Sequence, residues 1–273
     1  MGGAVRARLD RELVRRGLVD SRQSAQELIA AGKVTVDGAP GRKAATLVTP
    51  QQQLAVIGPG RRWASRGGDK LDGALDVLGV PVAGRTCLDA GASTGGFTDV
   101  LLAHGAHAVI AVDVGYGQLA WRLRSDSRVV VVERTHVRDL SSAQLQDLTP
   151  TLVVADVSFI SLRSILPPLR TLLGGGVDWC CLVKPQFEVG SAAVGRRGVV
   201  RDPDAWGRAL DRVRAAAHTL GLLVGDGVVS QLPGPAGNVE FFLWLRDAGA
   251  ADWPALRTQL VRDGSALRDR SAG

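Results

Sequence analysis

Thr86-Cys87-Leu88-Asp89-Ala90-Gly91-Ala92-Ser93-Thr94-Gly95-Gly96-Phe97 joins an apolar strand candidate to a helix candidate through a glycine turn. Such a turn brings backbone N–H groups and a helix N-terminus close to a ligand. Against the dinucleotide fingerprint G-x-G-x-x-G, Ser93 stands where the middle glycine lets a backbone approach a pyrophosphate, which counts against NAD or FAD. A cofactor with an adenosine and no phosphates fits better, and S-adenosylmethionine is the leading candidate. Taken alone, the turn serves equally as a packing turn. Asp113, 24 positions beyond Asp89 at the end of the next strand candidate, adds a carboxylate suited to ribose hydroxyls. Thr135 to Arg138 follow the third strand, where an adenine ring would lie.

Outward from the turn, strand candidates fall at 86–89, 108–114, 129–133, 152–156, 179–184, 222–229 and 240–245, with helices at 71–78, 96–104, 162–173 and 204–220. The alternation predicts an α/β fold with a doubly wound, mostly parallel sheet. Asp156 and Lys184 each end an apolar strand, so parallel strands would carry both to the carboxyl edge, where ligands bind in open α/β folds. Glu240 begins the last strand and reaches that edge if the strand runs antiparallel, as in S-adenosylmethionine-dependent methyltransferase sheets. Lys70 opens the helix before the first strand and would lie across the mouth. Only four of the 33 basic residues are lysine, namely Lys33, Lys43, Lys70 and Lys184. Where charge alone is needed, so arginine-biased a chain would carry arginine; a buried lysine can lose its proton and act as a base.

At 273 residues with 45% apolar and 4% aromatic content, the chain suits one medium and one small domain. Residues 1–70 hold 13 Lys+Arg against 6 Asp+Glu, and residues 71–273 hold 20 against 21, so the formal charge of +6 comes from the N-terminal quarter. A basic module on a neutral domain points to an anionic polymer such as RNA; the bland alternative is a solvated charged helix. No run of about 20 apolar residues would span a bilayer, and the first ten residues lack a signal-peptide apolar segment. Three cysteines without metal spacing read as buried thiols of a cytoplasmic protein, and no His/Cys/Asp cluster calls for a metal.

Residues 5–31 show two helical blocks, with Gly17 ending the first and Ser21 as N-cap of the second; short strands follow at 33–38 and 54–57. The string Arg8-Leu9-Asp10-x-x-Leu13-Val14-x-Arg16-Gly17-Leu18, continued by Ser21-Arg22-x-x-Ala25-x-x-Leu28-Ile29-x-x-Gly32-x-Val34-x-Val36-Asp37-Gly38, resembles the alpha-L RNA-binding motif. That resemblance implies RNA-gripping roles for Arg6, Arg8, Arg15, Arg22 and Lys43, and for Arg66 at the end of the linker. The order Lys70, Asp156, Lys184, Glu240 resembles the K-D-K-E tetrad of FtsJ-like RNA ribose 2′-O-methyltransferases. The strings Asp113-Val-Gly-Tyr-Gly-Gln-Leu-Ala-Trp121, Asp156-Val-Ser-Phe-Ile-Ser-Leu162, Val183-Lys-Pro-Gln-Phe-Glu-Val-Gly190 and Pro233-Gly-Pro-Ala-Gly-Asn-Val-Glu240 are similar to the TlyA family, which also carries hemolysin labels.

Membership would imply an RNA-binding domain at 1–60, a linker at 61–66, a seven-stranded methyltransferase domain at 67–247 and a tail at 248–273. It implies methyl transfer from S-adenosylmethionine to cytidine 2′-hydroxyls of 16S or 23S rRNA within ribosomal subunits, without stable membrane association. Cofactor contacts would come from Asp89, Gly91, Ser93, Thr94, Gly95, Gly96, Phe97, Asp113, Val114, His136, Val137 and Asp156. Lys184 would be general base or close-range activator, with burial and Lys70 disfavouring its charged form while Asp156 and Glu240 orient it. Family members commonly carry asparagine where this chain has His136. The competing readings are a membrane-active cytolysin, which lacks a strongly amphipathic basic helix here, and a non-enzymatic RNA-binding factor.

Overall fold

The computed structural model describes residues 6–16, 18–19, 22–57, 62–195 and 198–272. The chain divides into two compact units, residues 1–66 and 67–273.

In the first unit, β1 (Ala7–Arg8) leads into α1 (Leu9–Arg15), followed by α2 (Arg22–Ala30), β2 (Val34–Val36), β3 (Ala39–Pro40), β4 (Leu47–Val48) and β5 (Leu54–Val56). β1 pairs with β4, and β3, β2 and β5 form a three-stranded sheet. Leu9, Leu13, Ala25, Ile29, Val34, Val48 and Leu54 make its core. The proposed helix stop Gly17 and N-cap Ser21 lie outside the described residues.

Two acids are buried in this basic unit. Asp10 accepts from Arg8, Arg22 and Gln26, and Glu12 accepts from Arg15 and Arg16. The Arg8 hydrogen bond holds the Asp10 carboxyl far below its ordinary range, and Arg15 chiefly lowers Glu12 to about 2. A depressed carboxyl binds fewer protons folded than unfolded. Its stabilising contribution is therefore present above the ordinary value of 4.5 and is lost as pH falls toward 2. Glu12→Gln is expected to flatten the acid limb of the unfolding midpoint over that window, measured by circular dichroism against pH; an unchanged limb would refute this role.

In the second unit, α3 (Arg66–Leu78) precedes β6 (Thr86–Ala90), α4 (Gly96–Ala103), β7 (Ala108–Val112), α5 (Trp121–Arg124) and β8 (Val129–Val132). Then come β9 (Leu152–Ala155), α6 (Leu162–Leu173), β10 (Asp178–Val183), α7 (Pro185–Glu188), α8 (Pro203–Thr219), β11 (Leu223–Val229), β12 (Phe241–Arg246) and α9 (Trp253–Ala272). The seven strands order as β11-β12-β10-β9-β6-β7-β8. β12 runs antiparallel to both β10 and β11, while β10, β9, β6, β7 and β8 are mutually parallel. The central strands are buried throughout, as a sheet covered on both faces requires. Burial pushes the Cys87 and Cys181 thiols up to about 12, leaving them inert packing groups.

Two sequence expectations change. Lys70 does not open its helix: α3 begins at Arg66, and Lys70 lies one turn inside with Leu71, Ala74, Leu75 and Leu78 on the buried face. Gly67 and Gly68 weaken the local helical signal, and packing of that face overrides it. The segment after Asp247 is not a featureless tail. Within α9, Trp253, Leu256 and Leu260 are buried in the core that α8 and β11 share. Asp211 of α8 accepts from Trp253 Nε1 at 2.9 Å and Arg257 Nε at 2.8 Å.

Candidate active site

β6 and its neighbours β7 and β9 deliver the cofactor turn to the carboxyl edge of the sheet, on either side of the point where the strand order reverses. Gly91 has φ +92°, and a Cβ there would lie 2.6 Å from the Asp156 carbonyl oxygen. Gly91→Ala is expected to force β6 and the loop after β9 apart and to abolish cofactor binding, with calorimetric titration as the check. Retained affinity would show that the turn tolerates a side chain. Gly95, at φ +96°, is the N-cap of α4 and packs where a side chain would strike Leu119 and Leu123.

Ser93 adopts φ +49°, and its N–H donates to Asp113 Oδ2 at 2.8 Å; Gly115 N–H donates to Asp113 Oδ1 at 2.6 Å. Two backbone donors therefore fix the Asp113 carboxylate, and each oxygen retains a lone pair for a hydroxyl. These bonds also explain why β7 stops at Val112 rather than running on to residue 114.

A cavity of about 600 Å³ opens along this edge. Of the residues expected to touch a cofactor, Gly91, Ser93, Asp113, Val114, His136, Val137 and Asp156 line it. Asp89, Thr94, Gly95, Gly96 and Phe97 do not. Asp89 is wholly buried beneath the turn, where Thr98 Oγ1 donates to its Oδ2 at 2.6 Å, and desolvation pushes its carboxyl up to about 7. The Phe97 ring packs 6.1 Å from that of Phe242. His136 is exposed at the N-cap of a short 3-10 turn that presents Val137 to the wall.

Sequence reasoning placed Arg138 beside the adenine position but assigned no site role to Gln118, Ser158, Phe159, Ile160 or Ile165 on the same walls. Phe159 carried a signal: an aromatic three residues beyond the strand-end carboxylate Asp156. It is 93% exposed, at φ +65°.

The four tetrad residues form two ion pairs. Val183 of β10 pairs with Phe241 of β12 in antiparallel register, so Lys184 and Glu240 are the next residues outward on adjacent strands. Lys70 Nζ donates to Glu240 Oε2 at 2.6 Å, with side chains 7% and 1% exposed. Desolvation raises the Glu240 carboxyl, opposed by Lys70 and Lys184, while Asp156 adds to the rise. Lys184 Nζ lies 2.5 Å from Asp156 Oδ1 and donates to Ser158 Oγ at 2.8 Å. Lys184 Nζ is thus held by the Asp156 carboxylate and by the Ser158 hydroxyl together.

Glu188 ties the two loops of this centre together. It is buried, accepting from Ser161 Oγ at 2.5 Å and from Leu162 N–H at 2.7 Å. Phe187 meets Phe159 at 5.6 Å between ring centroids.

In the N-terminal unit, Arg6, Lys43 and Arg66 are exposed, whereas Arg8 and Arg22 are engaged by Asp10 and Arg15 by Glu12. Trp63 is buried, with the Arg62 guanidinium 4.5 Å from its ring centre. Among the described residues, the one group of metal-ligating type, Asp72, Asp76 and His104, contains none of the tetrad. No helix among them is long and apolar enough to cross a membrane.

Residues 63–247 match the model of FtsJ-like methyltransferases, and residues 7–54 match the S4 domain. The chain is 55% identical over 244 residues to the 16S/23S rRNA (cytidine-2′-O)-methyltransferase TlyA of Mycobacterium tuberculosis, covering 89% of this chain and 91% of that protein. It is 37% identical over 234 residues to a Brachyspira hyodysenteriae protein named Hemolysin A, covering 86% and 97%. A solved structure from Streptococcus thermophilus, described as a candidate hemolysin, superposes with a TM-score of 0.80 at 35% identity over 99% of both chains.

Proposed function

Because this chain belongs to the FtsJ-like methyltransferases, and within them to the TlyA rRNA (cytidine-2′-O)-methyltransferases, we propose that it methylates cytidine 2′-hydroxyls of rRNA inside ribosomal subunits in the cytoplasm. The observation that carries the reading is Lys184, held between Asp156 and Ser158 where both loop residues line the cavity.

The residues present fit S-adenosylmethionine. Asp113 is fixed with free lone pairs for ribose hydroxyls, Val114, Val137 and Ile165 offer apolar wall to an adenine, and no glycine stands at position 93 for a pyrophosphate. Bound there, the cofactor supplies an electrophilic methyl. A ribose hydroxyl is a weak nucleophile until its proton is removed or strongly polarised. Lys184 in its amine form takes that proton, and Asp156 holds the side chain in place and stabilises the resulting ammonium. Lys70 and Glu240 form the buried floor beside them, Glu240 neutralising Lys70 while its charge also acts on Lys184.

The S4 unit supplies RNA affinity through exposed cations such as Arg6 and Lys43, contacts that position a backbone without reading bases. Arg8, Arg15 and Arg22 serve first to neutralise buried acids. The Lys43→Ala change is expected to weaken subunit binding several-fold and to reduce its salt dependence by about one unit of slope. Filter binding across a salt series reads both quantities, and an unaltered slope would remove Lys43 from the interface. Mass spectrometry of 16S and 23S rRNA incubated as intact subunits with labelled cofactor tests the activity itself. Absence of cytidine 2′-O-methylation on both would overturn the proposal.

A further inference from the structure

Lys184 donates a hydrogen bond to a residue outside the tetrad. Its Nζ donates to Ser158 Oγ at 2.8 Å. Ser158 is exposed and lines the cavity together with Asp156, so this bond lies on the open side of the lysine.

The direction of the serine is built into the loop. Phe159, the next residue, holds a left-handed backbone at φ +65°, a conformation that a bulky residue keeps only where its surroundings impose it. Two contacts join this loop to the 184–188 segment: the rings of Phe187 and the largely exposed Phe159 lie 5.6 Å apart between centroids, and Glu188 accepts from Ser161 and Leu162. Lys184 at one end of that segment and Glu188 at the other thus grip both sides of residues 158–162. These contacts hold the backbone on which Ser158 stands beside Lys184.

An alcohol oxygen is suited to this place. It accepts an N–H from lysine whether the lysine is ammonium or amine, so it holds Nζ through a proton-transfer cycle. A ribose 2′-hydroxyl is chemically the same group and must reach the same nitrogen. We propose that Ser158 is a positioning residue for methyl transfer, its hydroxyl accepting an N–H of Lys184 and so leaving the Nζ lone pair to accept the proton of the incoming ribose 2′-hydroxyl. The inference rests on the reading of Lys184 as proton acceptor. In that step the O2′–H bond breaks, an N–H bond forms, and the amine becomes an ammonium. Ser158 gains and loses no proton.

The test compares wild type, Ser158→Ala, Ser158→Thr and Lys184→Arg in the full-length protein, with calorimetric binding of S-adenosylmethionine, steady-state transfer to ribosomal subunits and thermal melting. Ser158→Ala is expected to lower kcat ~10-fold, about the worth of one hydrogen bond, with cofactor Kd and KM for subunits within about twofold. Melting is expected to be unchanged because the side chain is exposed, and Ser158→Thr, which keeps the hydroxyl, is expected to recover most of the rate. Unchanged kcat in Ser158→Ala would overturn the proposal and leave Lys184 in its role. A proportional loss of cofactor affinity would overturn it in favour of a direct cofactor contact. Transfer by Lys184→Arg would overturn the underlying reading and this inference with it.

Discussion

Lys184→Arg is expected to lower methyl transfer by roughly 10²- to 10⁴-fold, the range that a positioned general base supplies. The substitution retains positive charge beside Asp156, so electrostatics alone predicts little change. What it removes is a neutral form. A guanidinium stays protonated under all usable conditions and has no lone pair to offer a hydroxyl, whereas an amine has one. Lys184 itself is absent from the cavity wall, so cofactor affinity is expected to stay within a few-fold of wild type. Single-turnover transfer to subunits, paired with calorimetric titration of cofactor, separates the two quantities. Near-normal transfer would sink the base role and leave Lys184 as a purely electrostatic group.

The second large effect concerns the buried pair. Glu240→Ala leaves the Lys70 ammonium at 7% exposure without its 2.6 Å partner, and breaking a buried pair in this way costs about 3–5 kcal/mol. That is a large part of the 5–15 kcal/mol typical of a whole domain. The urea midpoint is expected to fall accordingly, and transfer with it. Lys70→Met combined with Glu240→Leu distinguishes structure from chemistry. Apolar replacement of both partners removes the desolvation cost, so stability is expected to return while transfer does not. A Glu240→Ala protein with the wild-type midpoint would show that water or a rearranged neighbour already satisfies Lys70. Recovery of transfer in the double variant would assign the pair a structural role only.

Much of this architecture was legible in the chain because strand and helix periodicities are local. All seven strand candidates of the larger unit are present, each within two residues of its expected ends. The antiparallel direction of the last strand, on which the placement of Glu240 depends, is observed. Errors cluster where local signals are weak or borrowed. Gly67 and Gly68 hid the first turn of α3, so Lys70 was assigned to a helix opening instead of a buried face. The C-terminal segment offered no motif, yet Trp253, Leu256 and Leu260 are spaced to pack and do so.

The glycine turn illustrates the same limit at the site. Seven of its residues between Asp89 and Phe97 are expected to touch the cofactor, but a turn has two sides. Gly91 and Ser93 face the cavity while Asp89 and Phe97 face the core. Conversely, the roles of Ser158 and Glu188 are not legible in the strings that contain them. Their significance comes from partners 26 or 27 positions away. In the N-terminal unit, the family resemblance gave RNA contacts to Arg8, Arg15 and Arg22, which the buried Asp10 and Glu12 engage.

By itself, the sequence determined the α/β class and the order of an RNA-binding unit before a methyltransferase unit, since each depends on periodicity or on motif strings within one segment; the cofactor turn and the four residues of the tetrad it named as candidates. Tertiary structure alone decided which lysine pairs with which carboxylate, that Lys70 is buried against Glu240, and that Lys184 points at Ser158. Those outcomes depend on strand register and on the competition between desolvation and pairing, which residues distant along the chain settle only when folding removes them from water.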